Sequence, residues 1–220
     1  MFIGHFGVGL GAKKAAPRVS LGTLFIAAQF LDLLWPTFLL LKIENVVIHP
    51  ELSGSRMLEF SHYPYSHSLI FVLIWSVLFG LIYFLVKKDR KAALVLSICV
   101  LSHWILDLIV HFKDLPLFPG NSPLLGFGLW SSNTGTIIVE SAVFILGLSV
   151  YLRQTVSKNM KGKIILWILV GLLILSHVSS LYAPPPPNVP TLAWSAQFQW
   201  LFVILAYWAD ANRRERKLSE

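Results

Sequence analysis

Three residues in the segment Ser102 to His111 have the types and the spacing that a metal site requires. His103, Asp107 and His111 lie four positions apart. Because four residues turn an α-helix by about 400°, the three side chains would form one stripe along a helix face. Two imidazoles and a carboxylate in one stripe can bind a metal, or the carboxylate can orient a neighbouring ligand. The alternative is a hydrogen-bonded polar cluster between helices, and we favour the metal site.

Other ionisable residues lie inside or next to apolar runs of the sequence. Such groups are costly in a bilayer and usually face the interior of a bundle, so each is a candidate for function. The expected metal ligands are His5, Asp32, His62, His67, His103, Asp107 and His111. Asp107 and Glu140 are the candidate catalytic residues, since a carboxylate can accept a proton from an attacking water. Glu140 can instead be a ligand or a packing partner, and His177 is expected to be structural.

The composition predicts a membrane protein. The chain has 220 residues, of which 55% are hydrophobic and 13% are charged, whereas a soluble domain carries about 25% charged residues. The missing charge is concentrated in apolar runs of about 18 residues or more, which are candidate membrane spans. A single membrane domain, residues 1–220, accounts for the whole length. Any chemistry must therefore be built from the spans and their loops.

The apolar runs predict an all-α, polytopic transmembrane helix bundle with about six spans. Each run is close to the length that crosses a hydrocarbon core of about 30 Å at 1.5 Å per residue. The predicted spans are Leu21 to Leu41, Ser68 to Val86, Ala92 to Phe112, Thr134 to Leu152, Lys163 to Tyr182 and Thr191 to Trp208. Pro36 is expected to bend the first span near Asp32 or to open its backbone hydrogen bonding. Ser66 is the expected N-cap of the second span.

A short glycine-rich segment precedes the first span. Its glycines are Gly4, Gly7, Gly9 and Gly11. The segment is apolar but too short to cross a bilayer, so it is predicted to form a half-helix. Glycines permit close packing between membrane helices, and such packing is what would bring His5 to a site inside the bundle.

Basic residues alternate between the connecting segments and predict the orientation. They are concentrated in Lys13, Lys14 and Arg18; Lys87, Lys88, Arg90 and Lys91; Arg153, Lys158, Lys161 and Lys163; and Arg213, Arg214, Arg216 and Lys217. The intervening segments are poor in lysine and arginine. By the positive-inside rule both termini are expected in the cytoplasm of a bacterial inner-membrane protein.

The depth of the ionisable residues predicts that they converge. Asp32 and His103 each lie eleven positions beyond the start of a predicted span that begins on the cytoplasmic side. Both are therefore about 16 Å deep, near the midplane of the bilayer. Asp107 and Glu140 lie further towards the other surface. The expected site is a cavity that opens to the extracytoplasmic side.

The cysteine count and the net charge limit the cofactors and partners. Cys99 is the sole cysteine, which excludes a disulfide framework and a cysteine-based zinc site. A metal must then be held by histidine and carboxylate, and zinc is the expected divalent ion. The net charge of +7 predicts that the basic loops contact anionic membrane lipids. We favour lipid over nucleic acid as the partner because no nucleic-acid-binding motif is present. The oligomeric state is left open.

At these residues the chain resembles the YdjM-like inner-membrane proteins, a family commonly labelled as metal-dependent hydrolases. The resemblance covers about the first half of the chain and rests on four elements. These are His5 with the glycine-rich stretch to Gly11; Asp32; His62, His67 and Ser68; and His103 with Asp107. The chain departs from the family at two of these elements. Asp32 is the one acidic residue in Leu31-Asp32-Leu33-Leu34, where the family often has a denser cluster of acidic residues and histidines, and Tyr-Pro-Tyr follows His62 in place of the usual Arg-Gly. The number of ligands and of metal ions therefore stays open.

Three classes of function are compatible with this pattern. The first is a membrane-embedded metal-dependent hydrolase acting on a lipid-linked ester or phosphoester, in which a metal activates water. The second is a proton or metal-ion transporter that uses the same side chains as a relay. The third is a non-enzymatic membrane assembly protein. The cytoplasmic halves of the predicted spans have almost no ionisable residues, so no path for an ion across the whole membrane is evident. We therefore favour the hydrolase over the transporter.

Overall fold

The computed structural model describes residues 1–216 as a bundle of α-helices. The helices are α1 (Ile3–Ala12), α2 (Leu21–Ala28), α3 (Phe30–Leu40), α4 (Pro64–His67), α5 (Leu69–Lys87), α6 (Arg90–Val110), α7 (Asn133–Gln154), α8 (Met160–Tyr182), α9 (Val189–Ala196) and α10 (Gln199–Ala211). Short 3-10 turns occupy Gly54–Met57 and Leu129–Ser131. Lys217, the last residue of the terminal basic segment, lies outside the described residues.

The predicted six-span bundle is confirmed. α5, α6, α7, α8 and the segment from α9 to α10 are each long and apolar enough to cross a membrane, and α2 with α3 makes a sixth span when the bent pair is counted as one. The outward faces of these helices are apolar. Val77, Ile98 and Leu146, for example, are between 55% and 68% exposed. Such surfaces match the hydrocarbon of a bilayer.

The first span bends at Gln29 and not at Pro36. α2 and α3 meet at an angle of 60°, whereas Pro36 lies inside α3. The effect of Pro36 is instead on the backbone, because proline cannot donate to the carbonyl four residues earlier, that of Asp32. The Gln199 side chain donates to this freed carbonyl at 3.4 Å and accepts from the Gln29 side chain at 2.9 Å. Side chains thus satisfy the interrupted helix inside the bundle.

The glycine-rich segment forms the expected half-helix, α1, inside the bundle. Ile3, Phe6 and Leu10 on α1 are buried, and α1 packs closely against α7. Gly7 and Gly147 are in backbone contact, and a Cβ atom at Gly147 would overlap the carbonyl oxygen of Gly7. Only glycine permits this approach, which carries the N-terminal turn of α1 into the middle of the molecule.

Three short antiparallel strand pairs, two of them hairpins, distinguish the two ends of the bundle. At one end, termed the hairpin end, β1 (Asn45–Ile48) pairs with β2 (Leu58–His62) and β3 (Leu115–Pro116) pairs with β4 (Leu124–Leu125). At the opposite, basic end, β5 (Thr155–Ser157) pairs with β6 (Arg213–Glu215). The turn between α5 and α6, with Lys87 and Arg90, also lies at the basic end.

An acidic residue whose side chain is 11% exposed joins four elements at the basic end. Asp210 on α10 accepts hydrogen bonds from Lys13 at 2.7 Å and from the backbone N–H of Leu21 at 3.1 Å. Its other oxygen accepts from the Tyr151 hydroxyl at 2.8 Å. Lys13 also donates to the carbonyl of Val19 at 2.8 Å. We call Asp210, Lys13 and Tyr151, with their backbone partners, the Asp210 node.

Candidate metal centre

Five ionisable residues meet in the interior of the bundle, in its half nearer the hairpin end. Their potential ligand atoms form two groups, each within 4.8 Å, and the groups share His103. One group is His5, His103 and Asp107; the other is Asp32, His67 and His103. We call these five residues the histidine–aspartate cluster. Asp32 is 23% exposed, whereas the other four side chains are at most 3% exposed.

Four helices position the cluster. α6 supplies His103 and Asp107, whose four-residue spacing places them on one face. The break at Gln29 starts a new helix, so that Asp32 falls in the first turn of α3. His67 is the last residue of the single-turn helix α4. His5 arrives on α1 through the glycine contact with α7.

His103 is held so that one ring nitrogen faces two carboxylates. Its Nδ1 donates to the carbonyl of Ala28 at 2.8 Å; Ala28 ends α2, where helical carbonyls lack partners. Its Nε2 lies 3.2 Å from Asp107 and 3.6 Å from Asp32. Within residues 1–216 this buried Nε2 has no hydrogen-bond partner of good geometry. A nitrogen lone pair facing two carboxylates is repelled, so the position calls for a proton or a cation.

His5 completes the other side of Asp107. The two imidazole rings of His5 and His103 are stacked, with centroids 3.6 Å apart and planes 9° apart. The Nε2 atom of His5 lies 3.1 Å from Asp107 Oδ1, and the amino group of Met1 contacts the same oxygen. A metal ion bound through Asp107 would compete with these two groups.

The donor set fits a divalent metal ion. Imidazole nitrogen and carboxylate oxygen are the donors that zinc takes in sites without cysteine, and each group offers two imidazoles and one carboxylate. The Nε2 atom of His103, which has no hydrogen-bond partner among the described residues, is free to act as a metal-ligating atom. Asp32, His67 and His103 would hold the ion on the side where solvent has access, because Asp32 is the exposed member.

A cavity of about 160 Å³ lies beside the cluster. Its polar lining residues are Asp32, His67, His111, Thr136, Glu140, His177, Ser180 and Gln199. Aromatic walls come from Trp35, Phe60 and Trp130. The cavity can therefore bring a small polar group next to Asp32 and His67.

His111 and Glu140 lie on this cavity but in neither ligand group. α6 ends at Val110, so His111 is the residue after the helix and the predicted stripe stops at Asp107. His111 instead lies 3.0 Å from the Asp114 carboxylate. Glu140 accepts from the backbone N–H groups of Phe2 at 2.8 Å and Gly4 at 3.3 Å. It thereby binds the N-terminal turn of α1, where free N–H groups are expected.

The structure corrects the expectation for His62 and for Ser66. His62 is the last residue of β2, where its backbone pairs with Asn45, and its side chain is exposed. It belongs to neither ligand group, because the strand directs it away from the interior. Ser68, not Ser66, caps α5 by accepting from Phe71. His177 is buried, and neither of its ring nitrogens has a hydrogen-bond partner in the described part of the chain.

Glu44 is a buried carboxylate next to the cluster that no sequence pattern indicated. It follows α3 in a loop and is 1% exposed. It accepts from the backbone N–H groups of Tyr65 at 2.8 Å and Ser66 at 2.7 Å. The hydroxyl of Ser66 also donates to it at 2.7 Å and lies 2.7 Å from Nδ1 of His67. Its acidic type was the one feature of the sequence that could have drawn attention to it.

Comparison with known proteins identifies the family. No curated protein and no solved structure matches the chain. A family model for the YdjM inner membrane protein matches residues 1–183. This range contains all five residues of the histidine–aspartate cluster, as well as Glu44 and Glu140. The chain belongs to the YdjM inner membrane protein family.

Proposed function

We propose that this protein is a membrane-embedded, metal-dependent hydrolase of a lipid-linked ester or phosphoester. The observation that supports the proposal is the convergence of Asp32, His67 and His103, with the Nε2 atom of His103 buried and without a partner. Burial of an unpaired polar atom is costly, and a bound cation removes that cost. The label of metal-dependent hydrolase that this family commonly carries points in the same direction.

Asp32, His67 and His103 are the proposed ligands. Asp32 and His67 line the cavity of about 160 Å³, so a substrate in the cavity would lie next to the ion that they hold. The cavity volume suits a small head group, with the apolar part of the substrate left in the membrane. When bound, a zinc ion supplies a water of lowered pKa and polarises the substrate oxygen.

Asp107 is the proposed proton acceptor. Its Oδ2 lies 3.2 Å from His103 and 3.8 Å from His67, so it sits directly beside the proposed ligands. Asp107 Oδ1 is held by His5, which fixes the carboxylate in place. Glu140 faces the same cavity, but its Oε2 atom already accepts a hydrogen bond from the backbone N–H of Phe2, just before α1. Its proposed role is therefore to position α1 and to form part of the cavity wall next to the substrate.

We also propose that both termini face the cytoplasm and that the cavity opens to the extracytoplasmic side. The basis is the concentration of basic residues at one end of the bundle. Cysteine labelling can test this orientation, because the native Cys99 is buried. In intact cells, an impermeant reagent should label S61C at the hairpin end and not K158C at the basic end. The reverse pattern would refute the orientation.

Metal analysis and turnover of the detergent-purified protein test the function. The expected result is stoichiometric zinc together with chelator-sensitive hydrolysis of p-nitrophenyl butyrate or bis(p-nitrophenyl) phosphate. The transporter alternative is tested with proteoliposomes loaded with a zinc-sensitive or pH-sensitive dye, which report the flux of zinc ions or protons across the membrane. Ion flux without turnover would favour a transporter, and the absence of bound metal would favour an assembly protein; each result would refute the hydrolase.

A further inference from the structure

The buried residues Glu44, Ser66 and His67 form a continuous hydrogen-bonded chain that ends at the cluster. The Ser66 Oγ atom lies 2.7 Å from Glu44 Oε2 and 2.7 Å from His67 Nδ1. Ser66 is fully buried, and Glu44 and His67 are 1% and 3% exposed. Water is therefore excluded from the chain. Its other partners are backbone groups: the N–H groups of Tyr65 and Ser66, which donate to Glu44, and the carbonyl of Tyr63, which lies 3.5 Å from Ser66 Oγ.

The direction of each hydrogen bond follows from counting donors. Glu44 Oε1 accepts two backbone N–H groups, and Oε2 accepts the hydroxyl of Ser66. A serine hydroxyl has one hydrogen, so once Ser66 donates it to Glu44 its oxygen can act only as an acceptor. The carbonyl of Tyr63 is a more distant acceptor, at 3.5 Å, so the hydrogen goes to Glu44 at 2.7 Å, and the 2.7 Å contact with His67 must then use an N–H on Nδ1. With Nδ1 protonated, the neutral imidazole carries its lone pair on Nε2.

We propose that Glu44 is a positioning residue that, through Ser66, sets the tautomer and orientation of His67 for metal binding. Nε2 of His67 is directed at Asp32, 3.5 Å away, and at Asp107, 3.8 Å away. Metal-bound histidines commonly donate their other ring N–H to an acceptor that fixes them. This inference rests on the proposed function in treating His67 as a ligand.

Ser66 offers a substitution that separates this role from simple loop support. S66A removes the hydroxyl but leaves the Ser66 backbone N–H and that of Tyr65, which hold Glu44 in place. S66T restores a hydroxyl at the same position and is the matched control. E44Q is the second variant, in case S66A fails to fold, because an amide keeps the size of the side chain and replaces one acceptor oxygen with a donor.

The readout is the tautomer of His67, observed by NMR of protein labelled with ¹⁵N-histidine in detergent. Spectra are recorded without metal over a series of pH values, and the signal of His67 is assigned by its absence from the spectrum of H67Q. Wild type and S66T should show the Nδ1–H tautomer. S66A and E44Q should shift His67 towards the Nε2–H form. Zinc affinity, measured separately by competition with a chelator, should fall about 10- to 100-fold in S66A and stay near wild type in S66T.

The two readouts separate failure of the inference from failure of the proposed function. An Nδ1–H tautomer that persists in both S66A and E44Q would overturn the positioning role. The role would also be overturned if S66T lost zinc affinity as far as S66A does. A wild-type protein that binds no zinc, but whose His67 tautomer depends on Ser66, would support the hydrogen-bonded chain and would refute the metal-dependent function alone.

Discussion

The histidine–aspartate cluster and the Asp210 node are both buried groups of ionisable residues, yet they differ in how their polar atoms are satisfied. In the node, both oxygens of Asp210 accept hydrogen bonds, and Lys13 supplies the opposite charge at 2.7 Å. In the cluster, Nδ1 of His5 and Nε2 of His103 are buried without a partner among the described residues. Two carboxylates there also lie close together.

The difference indicates what each region is for. Buried polar groups are normally hydrogen-bonded, and an exception requires an explanation. Asp210 in the node has no unsatisfied oxygen. Its hydrogen bonds connect α1, α2, α7 and α10 at the basic end, which is the role of a structural polar cluster. In the cluster, an imidazole nitrogen without a hydrogen-bond partner within residues 1–216 faces carboxylate oxygens. A cation bound between them would satisfy both kinds of atom. Loss of a residue should therefore affect stability in the node and metal binding in the cluster.

The largest expected effect is loss of metal on substitution in the cluster. H103A removes the residue shared by both ligand groups, and D32A removes the carboxylate of the proposed ligand set. Each variant should lower the metal content of purified protein from the wild-type stoichiometry to background, as measured by mass spectrometry of the eluted metal. H49A is the matched control and should keep its metal, because His49 lies on the exposed β1–β2 hairpin. Full metal content in H103A would refute the site.

Substitution in the node should show the opposite behaviour. D210N removes the charge that pairs with buried Lys13, which is 7% exposed, and breaking a buried ion pair costs about 3 kcal/mol. The free energy of unfolding, measured with SDS in mixed micelles, should fall by about that amount, with metal content unchanged. D89N is the control, because asparagine can still cap α6 as Asp89 does. A D210N protein of normal stability that lacked metal would remove the distinction between the two regions.

A smaller effect is expected where Pro36 interrupts α3 beside the cluster. Q199L removes the donor to the carbonyl of Asp32 and should cost about 1 kcal/mol of unfolding free energy. P36A supplies a backbone N–H that can donate to the same carbonyl. The cost of Q199L should therefore be smaller in the P36A background, and a double-mutant cycle measures the difference. Strict additivity would show that Gln199 does not compensate for the proline.

The smallest effect concerns pH dependence at the surface of the hairpin end. The pKa of His49 is raised from its ordinary value of 6.5, first because it hydrogen-bonds Glu59 and also through attraction to Glu51. The charged imidazole thus stabilises the β1–β2 hairpin fully below about pH 6.5, and this stabilisation is lost as the pH rises through the higher folded value. NMR titration of His49 should give a midpoint above 6.5, and E59Q should lower it. A midpoint at or below 6.5 would contradict the contact.

The sequence was sufficient to predict the spans and the core of the candidate site. Hydrophobic length identified all six spans, since a bilayer imposes a minimum number of apolar residues. Helical spacing placed His103 and Asp107 on one face, and equal depth along two spans brought Asp32 near His103, 3.6 Å away in the structure. These predictions depend on geometry that is regular and local.

The features that the sequence did not predict depend on irregular structure. The break at Gln29 has no proline or glycine to mark it, and Pro36 was the stronger local signal. His62 was an expected ligand, but it lies at the end of β2 with an exposed side chain. Glu44 and Asp210 reach their partners across 22 and 197 positions, and neither carries a motif. Long-range contacts from loops and helix ends leave no periodic trace in one sequence.

The shortness of α1 has a consequence for biogenesis. Its ten residues span about 15 Å, half of a hydrocarbon core, so α1 cannot be integrated into the bilayer as a span in its own right. Its contact through Gly7 needs Gly147 on α7, which is synthesised much later. Docking of α1 must therefore follow the insertion of α7, and His5 joins His103 and Asp107 only at that stage. A chain in which α7 has not yet been inserted therefore lacks this half of the cluster.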